Sequence, residues 1–173
     1  MTVAEKGKIK PALLVIDVQN RFLKMITPRE KELAFFFINL LIELFRKHDF
    51  PIIRIYHHNE ENGPRQGADE FEYPASIAIL PPDTQIVKTY SDSFNKTDLN
   101  KVLTEKGINT LFLCGLSAVG CVLATRTGAQ NNDFEAFIVK DAIMSHNAEY
   151  TRNVEAMFGA VSYDIVKLIL ENA

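Results

Sequence analysis

Three side chains with complementary chemistry follow separate apolar segments of the sequence. Asp17 and Lys88 each end a short apolar run, and Cys121 follows the apolar run 111–116 and a few small residues. Because the carboxyl ends of parallel strands meet at one edge of a sheet, the three side chains are predicted to converge there. A carboxylate can remove the proton of a thiol, and an ammonium can stabilise the thiolate that results. The set therefore predicts nucleophilic catalysis by Cys121.

Each of these residues also has a plainer interpretation. Free cysteines are commonly small buried hydrophobes, although a thiol at the start of a helix is expected to favour its thiolate form. Asp17 on its own is compatible with a turn or a helix cap. Asp17 and Lys88 together are compatible with a structural salt bridge, but burying such a pair at a sheet edge costs much desolvation energy and favours a functional role.

The elements that must position these side chains alternate along the chain. Apolar runs predict strands, and segments with three-four spacing of apolar residues predict helices. The strands are predicted at 12–17, 50–56, 84–88, 109–115 and 134–140, and the helices at 28–45, 97–103, 119–130 and 147–157. This alternation predicts a three-layer α/β/α fold with a mostly parallel sheet, formed as a single domain over residues 1–173.

The first long helix is apolar on nearly all sides. One stripe is predicted to lie on the sheet: Leu33, Phe36, Phe37, Leu40, Leu41, Leu44 and Phe45. A second stripe lies beside it: Phe35, Ile38 and Ile42. A surface helix needs only one such stripe, so the second predicts a subunit interface and a homo-oligomer, either a dimer or a tetramer.

Composition excludes several classes of function. Of the 173 residues 47% are hydrophobic and 24% charged, and the net charge of −3 gives no support for nucleic-acid binding. No apolar run approaches the about 20 residues that a membrane span needs, and residues 1–10 lack the apolar core of a signal peptide. The glycines match no nucleotide-binding motif, so no cofactor is predicted. A cytoplasmic protein acting on a small molecule is expected.

Aromatic and histidine side chains near the same sheet edge are candidates for the substrate pocket. Phe22, Tyr90 and Phe94 could wall it, with core packing as the alternative for each. His57 and His58 follow the second strand and precede a long polar loop, but neighbours in an extended segment point to opposite faces and rarely bind one ion. The sequence therefore predicts no metal and assigns His57 to the pocket.

Four segments in order resemble the isochorismatase-like cysteine hydrolases, a family that includes nicotinamidases, carbamoylsarcosine-type amidases and isochorismatases. The resemblance spans about residues 12–160 and is carried by residues 13–22, 87–99, 113–122 and 139–142. It implies a Rossmann-like sheet, a catalytic triad of Asp17, Lys88 and Cys121, and a pocket that includes Gln19. It also implies a cis peptide before Ser117, so that the amides of Ser117 and Cys121 form an oxyanion hole.

The resemblance implies hydrolysis of a small amide or related C–N bond through a thioester. Three features depart from the family pattern. Tyr56 stands where nicotinamidases carry a metal-binding Asp, which argues against nicotinamide as the substrate. Ala118 and Val119 replace a common Thr-Asp pair. Arg21 replaces a common acid. The alternatives are an isochorismatase-type ether hydrolase, a catalytically silent binding or scaffold member of the fold, and a redox pair of Cys114 with Cys121.

Overall fold

The centre of the molecule is a sheet of five strands that all run parallel. The computed structural model describes residues 8–173, so most of the segment used to predict the lack of a signal peptide, residues 1–7, lies outside the described residues. The strands are β1 (Pro11–Ile16), β2 (Ile52–His57), β3 (Thr84–Lys88), β4 (Thr110–Leu116) and β5 (Glu135–Met144). Their spatial order is β3, β2, β1, β4, β5. The predicted parallel α/β fold is confirmed. Successive strands are added on one side of β1 up to β3 and on its other side from β4 onward, and open α/β sheets bind ligands at such a change of direction.

Helices cover both faces of this sheet. They are α1 (Asn20–Leu23), α2 (Pro28–Lys47), α3 (Leu99–Glu105), α4 (Leu123–Asn131), α5 (Ala148–Met157) and α6 (Tyr163–Leu170). Apolar side chains of α2 and α6 share one core with the odd-numbered residues of β1, and those of α3, α4 and α5 share the other with its even-numbered residues. Every residue of β1 is buried, which explains its unbroken apolar sequence. None of the helices within residues 8–173 is long and apolar enough to cross a membrane.

Helix α2 begins as its sequence predicts but turns a different face to the sheet. Pro28 occupies the first turn, and the side chain of Thr27 accepts a hydrogen bond from the amide of Glu30. The predicted inner stripe is wrong in part, because Leu33 and Phe36 are 48% and 59% exposed. The buried residues are Ala34, Ile38, Leu41, Ile42, Leu44 and Phe45. The cause is the composition of the helix: when apolar residues surround the axis, periodicity cannot select the face that packs.

Two elements differ from their predicted extents by four residues, and a third was not predicted. Strand β5 continues to Met144, four residues beyond the predicted end. Helix α4 begins only at Leu123, because residues 118–122 form a turn of π-helix with non-helical backbone at Gly120. Helix α6 carries no sequence prediction, although its Val166 and Leu170 complete the core that α2 covers.

The close approach of β1 and β4 depends on a glycine. Gly115 pairs with Ile16, has a φ of +110°, and its missing Cβ would meet the carbonyl oxygen of Ile16. We therefore expect Gly115→Ala to lower the free energy of unfolding by about 3 kcal/mol or more, measured by urea denaturation. The backbone of Ile16 would have to shift, and Ile16 directly precedes Asp17.

Gly159 provides the matched control for this substitution. It also has a positive φ, of +60°, but nothing lies within 4 Å of the position that a Cβ would occupy. Gly159→Ala should therefore cost only the left-handed backbone strain of about 1 kcal/mol. Equal losses from the two substitutions would show that the contact with β1 is unimportant.

Candidate active site

The structure brings Asp17, Lys88 and Cys121 into contact. Lys88 Nζ lies 2.7 Å from Asp17 Oδ2 and 3.3 Å from Cys121 Sγ. Asp17 and Lys88 are almost completely buried, whereas Cys121 is partly exposed. The ammonium of Lys88 thus links the buried carboxylate of Asp17 to the thiol of Cys121. Of the three side chains, that thiol is the one that a substrate could reach.

The parallel register of the sheet explains this convergence. Lys88 is the last residue of β3 and pairs with His57, the last residue of β2. Asp17 follows β1, has a φ of +52°, and its amide donates to the carbonyl of Ile55 in β2. Cys121 lies in the π-helical turn that follows β4. The carboxyl ends of four of the five strands, β1 to β4, therefore supply the cluster, as expected for a ligand site in an open sheet.

Four groups contact the ammonium nitrogen of Lys88. In addition to Asp17 and Cys121, its Nζ donates to the carbonyl oxygen of Tyr90 at 3.1 Å and lies 3.4 Å from Nδ1 of His57. The side chain of Lys88 has no exposed surface. A buried ammonium requires such partners, because its desolvation would otherwise be too costly. The contacts fix the position of the positive charge at the centre of the cluster.

Burial controls protonation in the cluster. It raises the pKa of Cys121 to about 12, and the Asp17 carboxylate contributes to the rise while Lys88 opposes it. Burial also raises the pKa of Asp17, again opposed by Lys88. The raised pKa of Cys121 favours the neutral thiol. This is opposite in direction to the expectation that the start of a helix and a neighbouring cation would favour the thiolate.

One oxygen of Asp17 is left without a partner. Oδ2 accepts from Lys88, but within residues 8–173 the buried Oδ1 has no hydrogen-bond donor. Leaving a buried acceptor unsatisfied costs stability, and such atoms in a native structure need an explanation. A carboxylate oxygen of Asp17 lies within 4.8 Å of Cys121 Sγ, so the carboxylate is close to the thiol.

Within residues 8–173, Asp17, His57 and Cys121 form a group that could hold a metal ion. One ligand atom of each lies within 4.8 Å of the others. However, the ammonium of Lys88 already lies between these same three groups, and it competes with a metal for their electron pairs. Burial, followed by the charge of Lys88, lowers the pKa of His57 and keeps the ring neutral. His58 pairs instead with Glu60 at 3.1 Å.

The turn that carries Cys121 has an unusual backbone. The peptide bond between Leu116 and Ser117 is cis, as the family resemblance implied. The carbonyl of Ser117 accepts hydrogen bonds from the amides of Gly120 and Val122. The amide of Ser117 itself donates to no acceptor within the part of the chain that the structure describes. That amide is therefore available to a ligand.

Three of the predicted pocket residues have accessible side chains close to the cluster. The rings of Phe22 and His57 meet edge to face, with centroids 5.9 Å apart. Tyr90 is 42% exposed, and its hydroxyl accepts a hydrogen bond from Lys96 at 3.1 Å.

The two other predicted pocket residues, Gln19 and Phe94, are buried. Gln19 is completely buried, and its amide group donates to the carbonyls of His57 and Phe71 and accepts from the amide of His57. It therefore joins the long loop to β2 and has no group free for a substrate. Phe94 packs in the core against Phe134, with ring centroids 5.7 Å apart.

The sequence did not single out Tyr73, which lies directly behind the site. Its buried hydroxyl is 2.8 Å from the carbonyl of Val15 and 2.6 Å from that of Ile55. These carbonyls belong to β1 and β2 close to where the strands end, so Tyr73 braces the backbone that carries Asp17. Its sequence neighbourhood contains other apolar residues such as Phe71 and Ile77, so no local signal distinguished it.

Comparison with known proteins places this geometry in a family. The family model described as the isochorismatase domain matches residues 11–162. The chain belongs to the isochorismatase family. The match covers every strand of the sheet and all three residues of the isochorismatase-family cluster.

This isochorismatase-family chain is similar in sequence or structure to several known proteins. It is 33% identical over 137 residues to the isochorismatase family protein YddQ of Bacillus subtilis, covering 76% of each chain. It is 27% identical over 153 residues to nicotinamidase 3 of Arabidopsis thaliana, covering 80% of this chain and 75% of that one. The structure of N-carbamoylsarcosine amidase from Thermoplasma acidophilum is similar with a TM-score of 0.77 and 26% identity, over 89% of this chain and 95% of that chain.

Proposed function

We propose that the chain is a single-domain cysteine hydrolase that cleaves a small amide or related C–N bond through a thioester on Cys121. The observation that carries the proposal is the position of Lys88 Nζ, which contacts both Asp17 Oδ2 and Cys121 Sγ. Similarity to a nicotinamidase and to N-carbamoylsarcosine amidase supports the choice of a C–N bond. The free thiol that the reaction needs agrees with the cytoplasmic location predicted from the sequence.

In the first half of the reaction, Asp17 takes the proton of the Cys121 thiol. The thiolate attacks the carbonyl carbon of the substrate, and the carbonyl electron pair moves to oxygen. The amides of Ser117 and Cys121 are proposed to bind this oxyanion, and removing one such donor typically costs about 100- to 1,000-fold in rate. Asp17 then protonates the leaving nitrogen as the C–N bond breaks, which leaves an acyl thioester.

In the second half, water attacks the thioester. Asp17, again a carboxylate, accepts a proton from the water, and the C–S bond breaks to release a carboxylic acid. The proton held by Asp17 returns to the sulfur and restores the thiol. Lys88 keeps its charge throughout and lowers the cost of each anionic state. The net change is one amide and one water converted to one acid and one amine or ammonia.

The geometry favours this proposal over a catalytically silent scaffold and over a redox pair. A scaffold has no need for a buried ammonium shared between a carboxylate and a thiol, or for an unpartnered carboxylate oxygen next to them. Cys114 packs in the core under α2, whereas Cys121 packs against the core on the opposite face of the sheet. The two sulfurs are therefore separated by the sheet.

The function is tested by measuring ammonia release from a panel of small primary amides, ureas and carbamates. We expect at least one class to release ammonia together with the matching acid or its breakdown product, because the site supplies a base, a nucleophile and a positive charge. Cys121→Ala protein serves as the blank. Turnover at the same rate by this blank would refute the thioester mechanism, and turnover only of a vinyl ether would favour the alternative ether hydrolase.

A further inference from the structure

The loop that joins β3 to α3 provides one of the four contacts to Lys88. This loop spans residues 89–98. The carbonyl oxygen of Tyr90, two residues after Lys88, accepts a hydrogen bond from Lys88 Nζ at 3.1 Å. A main-chain carbonyl can fix an ammonium only if the loop that carries it is itself fixed by further contacts. The position of Lys88 Nζ therefore depends on what holds this loop.

Two buried hydroxyl groups join the loop to α4. Ser93 in the loop and Thr125 in α4 have no exposed surface. Their side-chain oxygens lie 2.7 Å apart, and the amide of Ser93 donates to Thr125 Oγ1 at 3.2 Å. The carbonyl of Ser93 accepts from the hydroxyl of Thr97 at 2.6 Å. Because buried polar groups are costly unless they are hydrogen-bonded, this set of partners favours one placement of the loop on the helix.

A glycine of the same helix allows the loop to approach closely. Gly128 lies three residues after Thr125, so the two residues are neighbours on the surface of α4. A Cβ at position 128 would meet the carboxylate of Asp92, which accepts a hydrogen bond from the amide of Phe94 at 2.9 Å. Residues 92–94 of the loop thus lie on one face of α4, at Thr125 and again at Gly128.

We propose that Thr125 is a positioning residue that acts on Cys121 through the loop and Lys88. The hydroxyl of Thr125 holds Ser93, and with it the loop that carries the Tyr90 carbonyl. That carbonyl keeps Lys88 Nζ at 3.3 Å from Cys121 Sγ. Thr125 is completely buried, so it acts without touching a substrate. This role rests on the proposed function, since the position of Lys88 matters only if the thiol reacts.

The rate at which iodoacetamide alkylates Cys121 at pH 8 tests this role without a substrate. Thr125→Val keeps the shape of the side chain but removes its hydroxyl. Alkylation of Cys121 should become about tenfold slower, because an ammonium that moves away from the sulfur stabilises the thiolate less. Thr125→Ser keeps the hydroxyl and should react within about threefold of the wild-type rate. Thr110→Val removes another buried hydroxyl, at the opposite end of β4 from the cluster, and should leave the rate unchanged.

The direction of the change separates positioning from a general loss of structure. A loosened fold would make Cys121 react faster and would expose the buried Cys114 to the reagent, whereas positioning predicts slower alkylation with Cys114 unlabelled. Folded Thr125→Val protein that reacts at the wild-type rate or faster would overturn the proposal. If the slower alkylation is found but Cys121→Ala still hydrolyses amides, the thioester mechanism fails while the positioning of the thiol stands.

Ser93→Ala tests the same link from the side of the loop. It removes the contact between the two hydroxyls but keeps the hydrogen bond from the Ser93 amide to Thr125, so alkylation should slow by only about threefold. The double variant Ser93→Ala/Thr125→Val should be no slower than Thr125→Val alone, because both substitutions break one link. Effects that multiply in the double variant would show that the two residues act separately and would exclude the link.

Discussion

The Cys121→Ala protein is expected to form no acyl-enzyme and to lose at least about 1,000-fold of its amide hydrolysis rate. The sulfur is the only nucleophile in the cluster of Asp17, Lys88 and Cys121, and neither remaining side chain can form the thioester. The measurement is intact-protein mass spectrometry after incubation with an electrophilic amide or aldehyde probe. Wild-type protein should gain the mass of one adduct, and Cys121→Ala should gain none.

The second cysteine provides a control of the same chemical type. Cys114 is completely buried in β4, its Sγ lies 3.5 Å from the carbonyl oxygen of Leu14, and burial raises the pKa of its thiol. Cys114→Ala should therefore keep both the adduct and the activity. An adduct that persists in Cys121→Ala, or that disappears in Cys114→Ala, would remove Cys121 from its proposed role.

Asp17→Asn is expected to have opposite effects on hydrolysis and on direct alkylation of Cys121. Hydrolysis should fall about 1,000-fold or more, because an amide cannot accept the thiol proton or return it to the leaving group. Alkylation by iodoacetamide at pH 8 should become about tenfold faster. The carboxylate contributes to the raised pKa of Cys121, and its loss leaves Lys88 to stabilise the thiolate.

This pair of readouts separates a base from a purely structural aspartate. If Asp17 only maintained the fold, Asp17→Asn would expose Cys114 to alkylation as well, whereas a folded variant keeps that buried thiol unlabelled. Asp83→Asn is the matched control: Asp83 is ion-paired with Arg46 at 2.8 Å, far from Cys121 in the fold, and should change neither rate. Slower alkylation of folded Asp17→Asn protein would contradict the assignment.

The pH dependence of the wild-type enzyme follows from the same electrostatics. Burial raises the pKa of Asp17 above the ordinary value of about 4 for an aspartate. Because the carboxylate form is needed as the base, kcat/KM should fall as the pH drops through this raised pKa. The acid limb of the profile should therefore lie above pH 4, and a limb at or below the range of an exposed carboxylate would count against Asp17 as the base.

The positions of the candidate site residues could be predicted because each ends or follows a parallel strand. The sequence of β1 is apolar throughout and then changes to Asp17, and a charge after such a run marks the sheet edge where ligands bind. Lys88 ends β3 in the same way. The fold class follows from the same pattern, since strands that alternate with helices leave few topologies open.

Properties that depend on three-dimensional burial could not be predicted from the sequence. Helix α2 is apolar on nearly all sides, so its sequence could not show that Phe36 faces outward and Ile38 inward. Gln19 and Phe94 are close to the site in sequence, but contacts from distant segments bury them. The raised pKa of Cys121 has the same origin, because desolvation comes from neighbours that no local pattern identifies.

The ion pair between Asp17 and Lys88 joins β1 to β3, and in the finished sheet β2 lies between these two strands. The partners are 71 positions apart in the chain, and Cys121 is a further 33 positions beyond Lys88. Closing such long segments is entropically costly before native contacts repay it. A chain with only part of its sheet assembled holds the same three residues apart, as an ordinary acid, amine and thiol. The proposed combination of base, ammonium and thiol is thus a property of the completed topology and not of any single segment.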